Sequence, residues 1–427
     1  MKRATGIKWL YIDLNSYFAS VEQQENPMLR GKPVIVVPMN TDYTCAIAAS
    51  YEAKSYGIKT GTMVKDAKKM CPNLHCVLAK HDLYVAYHHK IIEEIIKHTP
   101  INKICSIDEL SSLLPPNKRN ISAAKKISKD IKNGINHNIG SAIRCSIGFA
   151  PNALLAKIAC EMDKPNGLTI LRQNQVQTAL YELSLTDIPG IGKNMESRLN
   201  KVGIIRTKQF LELSPKHARK IWGSVQGERL WYMLHGYDDI KDQKTRPSVV
   251  GYSRVLDPNL RTPEKAHAIL RKLSVKATHR LRRKTLNTKS VNVSLRTNSG
   301  YKIIKTRNIQ ATDNPFILLK HIDTLWIAIM LHYKNVAEDN VNIKKISVTF
   351  SNLIETEEVT DDLLLSLIPN NNENNIKNEA LAIALDNLQN KYKKEVVSIG
   401  STPKTSAGHV GTKIAFARIP DIEEFWN

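Results

Sequence analysis

Carboxylates set inside apolar runs constrain this chain more than any other feature. Tyr11-Ile12-Asp13-Leu14-Asn15-Ser16-Tyr17-Phe18 places one acid at the end of the run that begins at Trp9. Ser106-Ile107-Asp108-Glu109-Leu110 places two more after the run Ile101 to Ile107. Short runs rich in β-branched and aromatic residues predict buried strands. A carboxylate at the end of a buried strand is costly unless something offsets its charge. A divalent cation does so best, and Mg²⁺ prefers hard oxygen ligands of this kind. The fold is therefore expected to gather Asp13, Asp108 and Glu109 around a metal.

The chain around these acids is strongly basic. Lysine and arginine total 62 against 40 acids, a formal charge of +22. Charge alone leaves two readings open, a solvated basic surface and a polyanion footprint. An acid cluster within so basic a chain favours an enzyme acting on nucleic acid phosphates. With 427 residues, 42% of them hydrophobic, several domains with real cores are expected. The apolar run at the N-terminus is broken by Asp13 and too short for a secretion signal. No run is read as long enough to span a membrane, so a cytoplasmic location without a membrane partner is expected. The six cysteines form no CxxC pair. Cys71, His75 and Cys76 lie close together but lack a second ligand pair, which favours free thiols in a reducing compartment.

Strand and helix patterns interleave through the first part of the chain. Strands are predicted over 8–14, 33–38, 101–107 and 141–148, with another apolar run over 45–50. Helices are predicted over 17–24, 51–56, 83–98, 121–135 and 152–162. This interleaving predicts a mixed α/β domain. The pattern changes near Leu183. Pro189-Gly190-Ile191-Gly192 and Lys193, followed by Met195 and Leu199, read as helix, tight turn, helix. Gly190 and Gly192 free backbone N–H groups to cradle a phosphate; a plain turn between helices is the other reading. Residues 238–247 read as a linker. Beyond it, strands and helices over 249–255, 263–283, 290–296, 303–309, 315–333 and 345–350 give the order β-α-β-β-α-β. The first of those helices carries Arg271, Lys272, Lys276, Arg280, Arg282 and Arg283, with Arg296, Lys302, Lys305 and Arg307 nearby. Its density favours a phosphate-tracking face over a merely solvated one.

Together the motifs resemble the Y-family DNA polymerases, the translesion group that includes the bacterial DinB and UmuC proteins. The resemblance spans about residues 7 to 354. It rests on the acid motif from Tyr11 to Phe18, on Ala49-Ser50-Tyr51-Glu52-Ala53-Lys54 and on Ser106-Ile107-Asp108-Glu109. It continues through Cys145-Ser146-Ile147-Gly148, Leu155-Ala156-Lys157 and Lys164-Pro165-Asn166-Gly167 to the Pro189-Gly192 turn.

The resemblance implies an α/β and α+β multidomain fold shaped like a right hand. A palm would comprise residues 1–18 and 80–174, small fingers 19–79, and a helical thumb with a helix-hairpin-helix 175–241. After a linker at 242–247, a little finger would occupy 248–353 and a C-terminal extension 354–427. It implies a DNA-directed DNA polymerase of low fidelity that bypasses damaged template bases, with primer–template DNA and dNTPs as partners. Asp13, Asp108 and Glu109 would hold two Mg²⁺ ions together with the Leu14 carbonyl. Asn15, Ser16, Tyr17, Phe18, Tyr51, Lys54 and Lys164 would contact the nucleotide, with Phe18 barring a 2′-hydroxyl. Gly190, Gly192, Lys193, Lys276, Arg280, Arg283 and Arg296 would meet DNA. Lys54 departs from the family's usual arginine and keeps the charge without the bidentate fork. Ala48 departs from a hydroxyl residue, removing one hydrogen bond to the triphosphate. Leu363 to Leu367 lies where relatives often carry a sliding-clamp peptide, but the usual Gln and terminal Phe are missing, and an ordinary short apolar segment is the other reading. The sliding clamp through this segment and, separately, other SOS proteins are partners the resemblance implies. A non-catalytic DNA-binding scaffold and a Mg²⁺-dependent nuclease remain alternatives. The intact acids argue against the first, and the Tyr51/Lys54/Lys164 set against the second.

Overall fold

Trp9–Leu14 (β1) is buried from Leu10 onward because both of its edges and both of its faces are covered. A computed structural model describes residues 6–238, 248–334, 342–358 and 369–392, with 397, 399 and 400. The chain divides into two compact units near residue 242.

In the first unit β1 leads into a helix, Tyr17–Glu25 (α1). Val34–Val37 (β2), Ala48–Ala49 (β3) and His75–Leu78 (β4) form a small sheet of order β3-β2-β4, with Tyr51–Ser55 (α2) and Val64–Met70 (α3) in the intervening chain. His81–Ile96 (α4) then leads to Lys103–Ile104 (β5), Glu109–Leu113 (β6), Ile121–Asn138 (α5), Cys145–Ala150 (β7), Ala153–Met162 (α6) and Leu168–Ile170 (β8). These strands form a second sheet of order β5-β6-β1-β7-β8. Val176–Tyr181 (α7), Lys193–Asn200 (α8), Thr207–Leu211 (α9), Pro215–Trp222 (α10) and Val225–Leu234 (α11) complete the unit.

Four expected elements are corrected. The strand expected over 101–107 is reduced to β5, and the chain turns at Ser106–Asp108 so that Glu109 opens the next strand. Ser111 and Ser112 hid that strand from an apolar pattern, although both are buried. Ser112 is satisfied there, its hydroxyl donating to the Pro100 carbonyl and meeting Thr99 Oγ1 at 2.8 Å. The run over 45–50 is strand only at Ala48–Ala49, and the strand expected over 141–148 lies at 145–150. Before the Pro189 turn stands a single 3-10 turn, Leu185–Asp187, in place of a helix. A residue preceding proline is pushed out of helical geometry.

α6 lies directly on β7. A Cβ on Gly148 would stand 2.1 Å from the Ala156 carbonyl oxygen and 2.4 Å from the Cys160 nitrogen. Backbone cannot yield as a side-chain tip can, so Gly148→Ala is expected to cost about 3 kcal/mol of stability. A denaturant midpoint measures it, and a loss below about 1 kcal/mol would show that α6 shifts freely.

The second unit contains Val249–Val255 (β9), Pro263–Arg283 (α12), Leu286–Thr297 (β10), Lys302–Thr312 (β11), Pro315–Lys334 (α13), Ile343–Glu355 (β12) and Pro369–Tyr392 (α14). The β-α-β-β-α-β order holds, and the strands form an antiparallel sheet β11-β10-β12-β9. Val291, Val293, Leu295, Ile346, Val348 and Phe350 meet Leu270, Leu273, Ile322 and Ile329 in one core. α13 is long and apolar enough to cross a membrane by length and composition, contrary to expectation. Lys320, His321 and Asp323 break up its run in the sequence, and its Leu318, Ile322, Leu325 and Ile329 are core residues of this unit. The linker at 242–247, the Leu363–Leu367 segment and the chain beyond 400 lie outside the described residues.

Candidate active site

The turn ahead of β6 brings the acid motifs together. β1 and β6 pair antiparallel with Asp13 opposite Glu109. The Leu14 N–H donates to the Asp108 carbonyl at 2.8 Å, which pins the turn to the end of β1. The Asp13 side chain is 11% exposed, and burial pushes its carboxyl up to about 7 despite Lys164 Nζ at 2.9 Å. Burial likewise raises the Asp108 carboxyl, against the Ser106 hydroxyl, which donates to Oδ1. Glu109 has both oxygens engaged. Tyr11 Oη donates to Oε2 at 2.9 Å and Lys157 Nζ to Oε1 at 2.5 Å.

Among the described residues, Asp13, Glu109 and Glu161 have carboxylate oxygens that converge within 4.8 Å of one another. Asp108 stands one residue away on the turn. Sequence reasoning missed Glu161, although a signal was present. Lys157 and Glu161 stand at i and i+4 of α6, the spacing of one helix face. Hard carboxylate oxygens at this spacing, one of them short of a full counter-charge, suit a divalent cation.

The nucleotide set gathers beside these acids. Lys54 Nζ lies 4.3 Å from the Tyr51 ring centroid. Burial lowers the Lys54 ammonium and raises the Tyr51 phenol, and both groups feel Lys164, Asp13 and Glu161. Asn15 Oδ1 accepts from the Asn166 N–H at 2.7 Å, and Asn15 Nδ2 donates to Ser146 Oγ at 3.2 Å. The loop that carries Lys164 is thereby tied to the end of β1. Ser16 adopts a left-handed conformation, φ 48°, and its Oγ is buried without a partner among the described residues. An orphaned hydroxyl beside the acids is what a bound ligand would satisfy. Phe18 is 4% exposed and stacks on Tyr84, centroids 4.5 Å apart at 14°. Tyr17 Oη donates to the Tyr84 carbonyl at 2.6 Å, and Tyr84 Oη to Glu22 Oε1 at 2.8 Å.

The expected DNA contacts fall in separate places. Gly190 (φ 100°) and Gly192 each leave open space where a Cβ would be, and Gly192 stands at the start of α8 ahead of Lys193. On α12, much of the charge near Lys276, Arg280 and Arg283 is answered by acids. Arg271 pairs with Asp323 of α13; Arg282 meets Glu379 at 3.0 Å and Asp386 at 2.6 Å, both on α14. Arg296 lies instead on the sheet face turned away from the helices. It sits opposite Lys302 on one side and Lys345 on the other. Three like charges in cross-strand register repel unless a polyanion joins them. The sequence places Arg296 near Lys302, but Lys345 joins them only through strand register.

Two family models match the chain. The impB/mucB/samB family covers residues 12–161, and the impB/mucB/samB family C-terminal domain covers 247–363. The DNA polymerase IV of Alkaliphilus oremlandii is 29% identical over 403 residues, 91% of this chain and 97% of its own length. The DNA polymerase IV of Staphylococcus haemolyticus is 30% identical over 350 residues, 81% of this chain and 94% of its own. Among solved structures, a Y-family DNA polymerase chimera of Dbh and Dpo4 aligns with a TM-score of 0.70 at 25% identity, covering 81% of this chain and 99% of its own. An insertion ternary complex of Dbh DNA polymerase covers the same shares at 25% identity with a TM-score of 0.53.

Proposed function

Because this chain belongs to the Y-family, DinB-like translesion DNA polymerases, we propose that Asp13, Asp108 and Glu109 are its catalytic carboxylates. The observation that carries the assignment is the gathering of Lys164, Lys54 and Tyr51 around Asp13. A nuclease has no use for a cation set that suits a triphosphate, and a scaffold has no use for the acids. The acids and the Leu14 carbonyl would hold two Mg²⁺ ions, which when bound lower the pKa of the primer 3′-hydroxyl and neutralise the leaving pyrophosphate.

The chain's own residues do the rest. Lys164 and Lys54 offer point charges to the triphosphate, and Tyr51 and Ser16 offer hydroxyl groups. Asn15 fixes the backbone of the loop bearing Lys164. Tyr17 and Tyr84 hold the Phe18 ring, which would lie against the sugar and leave no room for a 2′-hydroxyl. In this reading the larger sheet of the first unit is the palm, residues 1–18 and 80–174. The small sheet at 19–79 is the fingers, the helices at 175–241 the thumb, and 248–353 the little finger. Fingers this small close loosely over the nascent pair, so low fidelity and tolerance of damaged bases follow. A cytoplasmic location, and recruitment by the sliding clamp or other SOS proteins through the C-terminal extension, belong to the same proposal. Primer extension with single dNTPs on damaged and undamaged templates tests it. Failure to extend either template would overturn the catalytic reading.

For DNA, the stripe Lys345, Arg296 and Lys302 supports contact through the open sheet face. Such contacts would reach phosphates and read no sequence. Replacing Arg296 and Lys302 by alanine is expected to reduce the slope of log affinity against log salt by about two units. It should weaken every duplex alike. The Arg280→Ala/Arg283→Ala pair tests the helix α12 in the same titration. A reduced slope only in the latter pair would move the interface from the sheet to the helix.

A further inference from the structure

Lys164 is held at two carboxylates. Its Nζ lies 2.9 Å from Asp13 Oδ2 and 2.8 Å from Glu161 Oε1. Asp13 is a proposed metal ligand, and Lys164 is the proposed triphosphate contact. One ammonium cannot neutralise a carboxylate that a metal also claims and at the same time neutralise a phosphate. The loop on which Lys164 stands is anchored. The Asn166 N–H donates to Asn15, and Lys132 Nζ donates to the Gly167 carbonyl at 2.9 Å. The freedom therefore lies in the lysine side chain rather than in the backbone that carries it.

We infer that Lys164 has two stations, parked between Asp13 and Glu161 before nucleotide arrives and moved to the triphosphate when it does. Glu161 is the positioning residue of the parked station. Its side chain is 41% exposed, so it can hold the ammonium at little desolvation cost and release it readily. The parked ammonium supplies a counter-charge to buried Asp13 and competes with any cation for that carboxylate. A triphosphate draws the ammonium away and so removes the competitor. Metal and nucleotide binding are then positively coupled, and the coupling is reciprocal. This inference rests on the proposed roles of Asp13 and Lys164.

The test titrates Mn²⁺ calorimetrically into the full-length protein without nucleotide or DNA, and measures dNTP kinetics separately. Lys164→Met is expected to bind Mn²⁺ about fivefold tighter than the unaltered protein, the scale of a modest site-to-site coupling. It loses nucleotide affinity at the same time. Unchanged or weaker Mn²⁺ binding would overturn the parked station. Glu161→Gln is expected to lower the dNTP KM about threefold, the scale of a half-exposed ion pair, with the change larger in KM than in kcat. A raised KM would make Glu161 a direct nucleotide or metal ligand and overturn its positioning role. The two readings fail separately. Tighter Mn²⁺ binding by Lys164→Met, in a protein whose Asp13→Asn variant still extends primers, would retire the catalytic assignment and leave the two-station lysine standing.

Discussion

Primer extension by Asp13→Asn, Asp108→Ala or Glu109→Gln protein is expected to fall by about a thousandfold or more, because each removes a carboxylate charge from a site that would hold the metal ions stabilising the five-coordinate transition state. The loss should sit in the chemistry and not in the fold. In Glu109→Gln, Tyr11 and Lys157 keep an oxygen to which they can donate. In Asp13→Asn, Lys164 keeps Glu161. The Asp108 side chain accepts from the Ser106 hydroxyl, and the turn is held by its backbone carbonyl. Unfolding free energies should therefore stay within about 1 kcal/mol of the unaltered protein. Affinity for primer–template should change little, since the proposed DNA contacts lie elsewhere. Single-turnover extension with saturating dNTP checks the prediction, and activity within tenfold of the unaltered enzyme would remove that acid from the catalytic set.

Replacing Phe18 by alanine is expected to raise the ribonucleotide-to-deoxyribonucleotide ratio of kcat/KM about a hundredfold or more. Exclusion by a clash is lost outright when the clashing group is removed. The geometry favours a rigid gate. The ring stacks on Tyr84 at 14°, and Tyr84 is itself held by Glu22, which Lys80 Nζ meets at 3.0 Å. A ring backed in this way cannot retreat from a 2′-hydroxyl. The same burial means that Phe18→Ala leaves a cavity costing about 3 kcal/mol. Phe18→Leu, which fills much of that cavity, should show a smaller rise and keeps the test decisive if the alanine protein folds poorly. Discrimination unchanged in both variants would assign the gate to another residue.

The sequence by itself determined which residues could carry chemistry and which elements would carry them. Asp13 had to end a buried strand, because apolar residues precede it without a break. Helix α12 and strand β9 begin and end where periodicity, Pro263 and the turn residues put them. Lys164 and Tyr51 were legible through their motifs. These signals are local, each written within about ten neighbouring residues. Tertiary structure alone decided which of them meet. Asp13 faces Glu109 only because β1 and β6 pair antiparallel in one register, and a buried serine pair hid the second strand. Glu161 joined the acids because α6 lies against β7 at Gly148, a packing distance that no pattern of hydrophobic residues encodes. Arg282 was drawn from the expected DNA face by Asp386, 104 residues away, while Arg296 gained Lys302 and Lys345 as neighbours across the sheet. Strand register and helix docking are set by the summed burial of distant segments. Local propensity therefore names the parts, and only the closed chain says which charges they bring face to face.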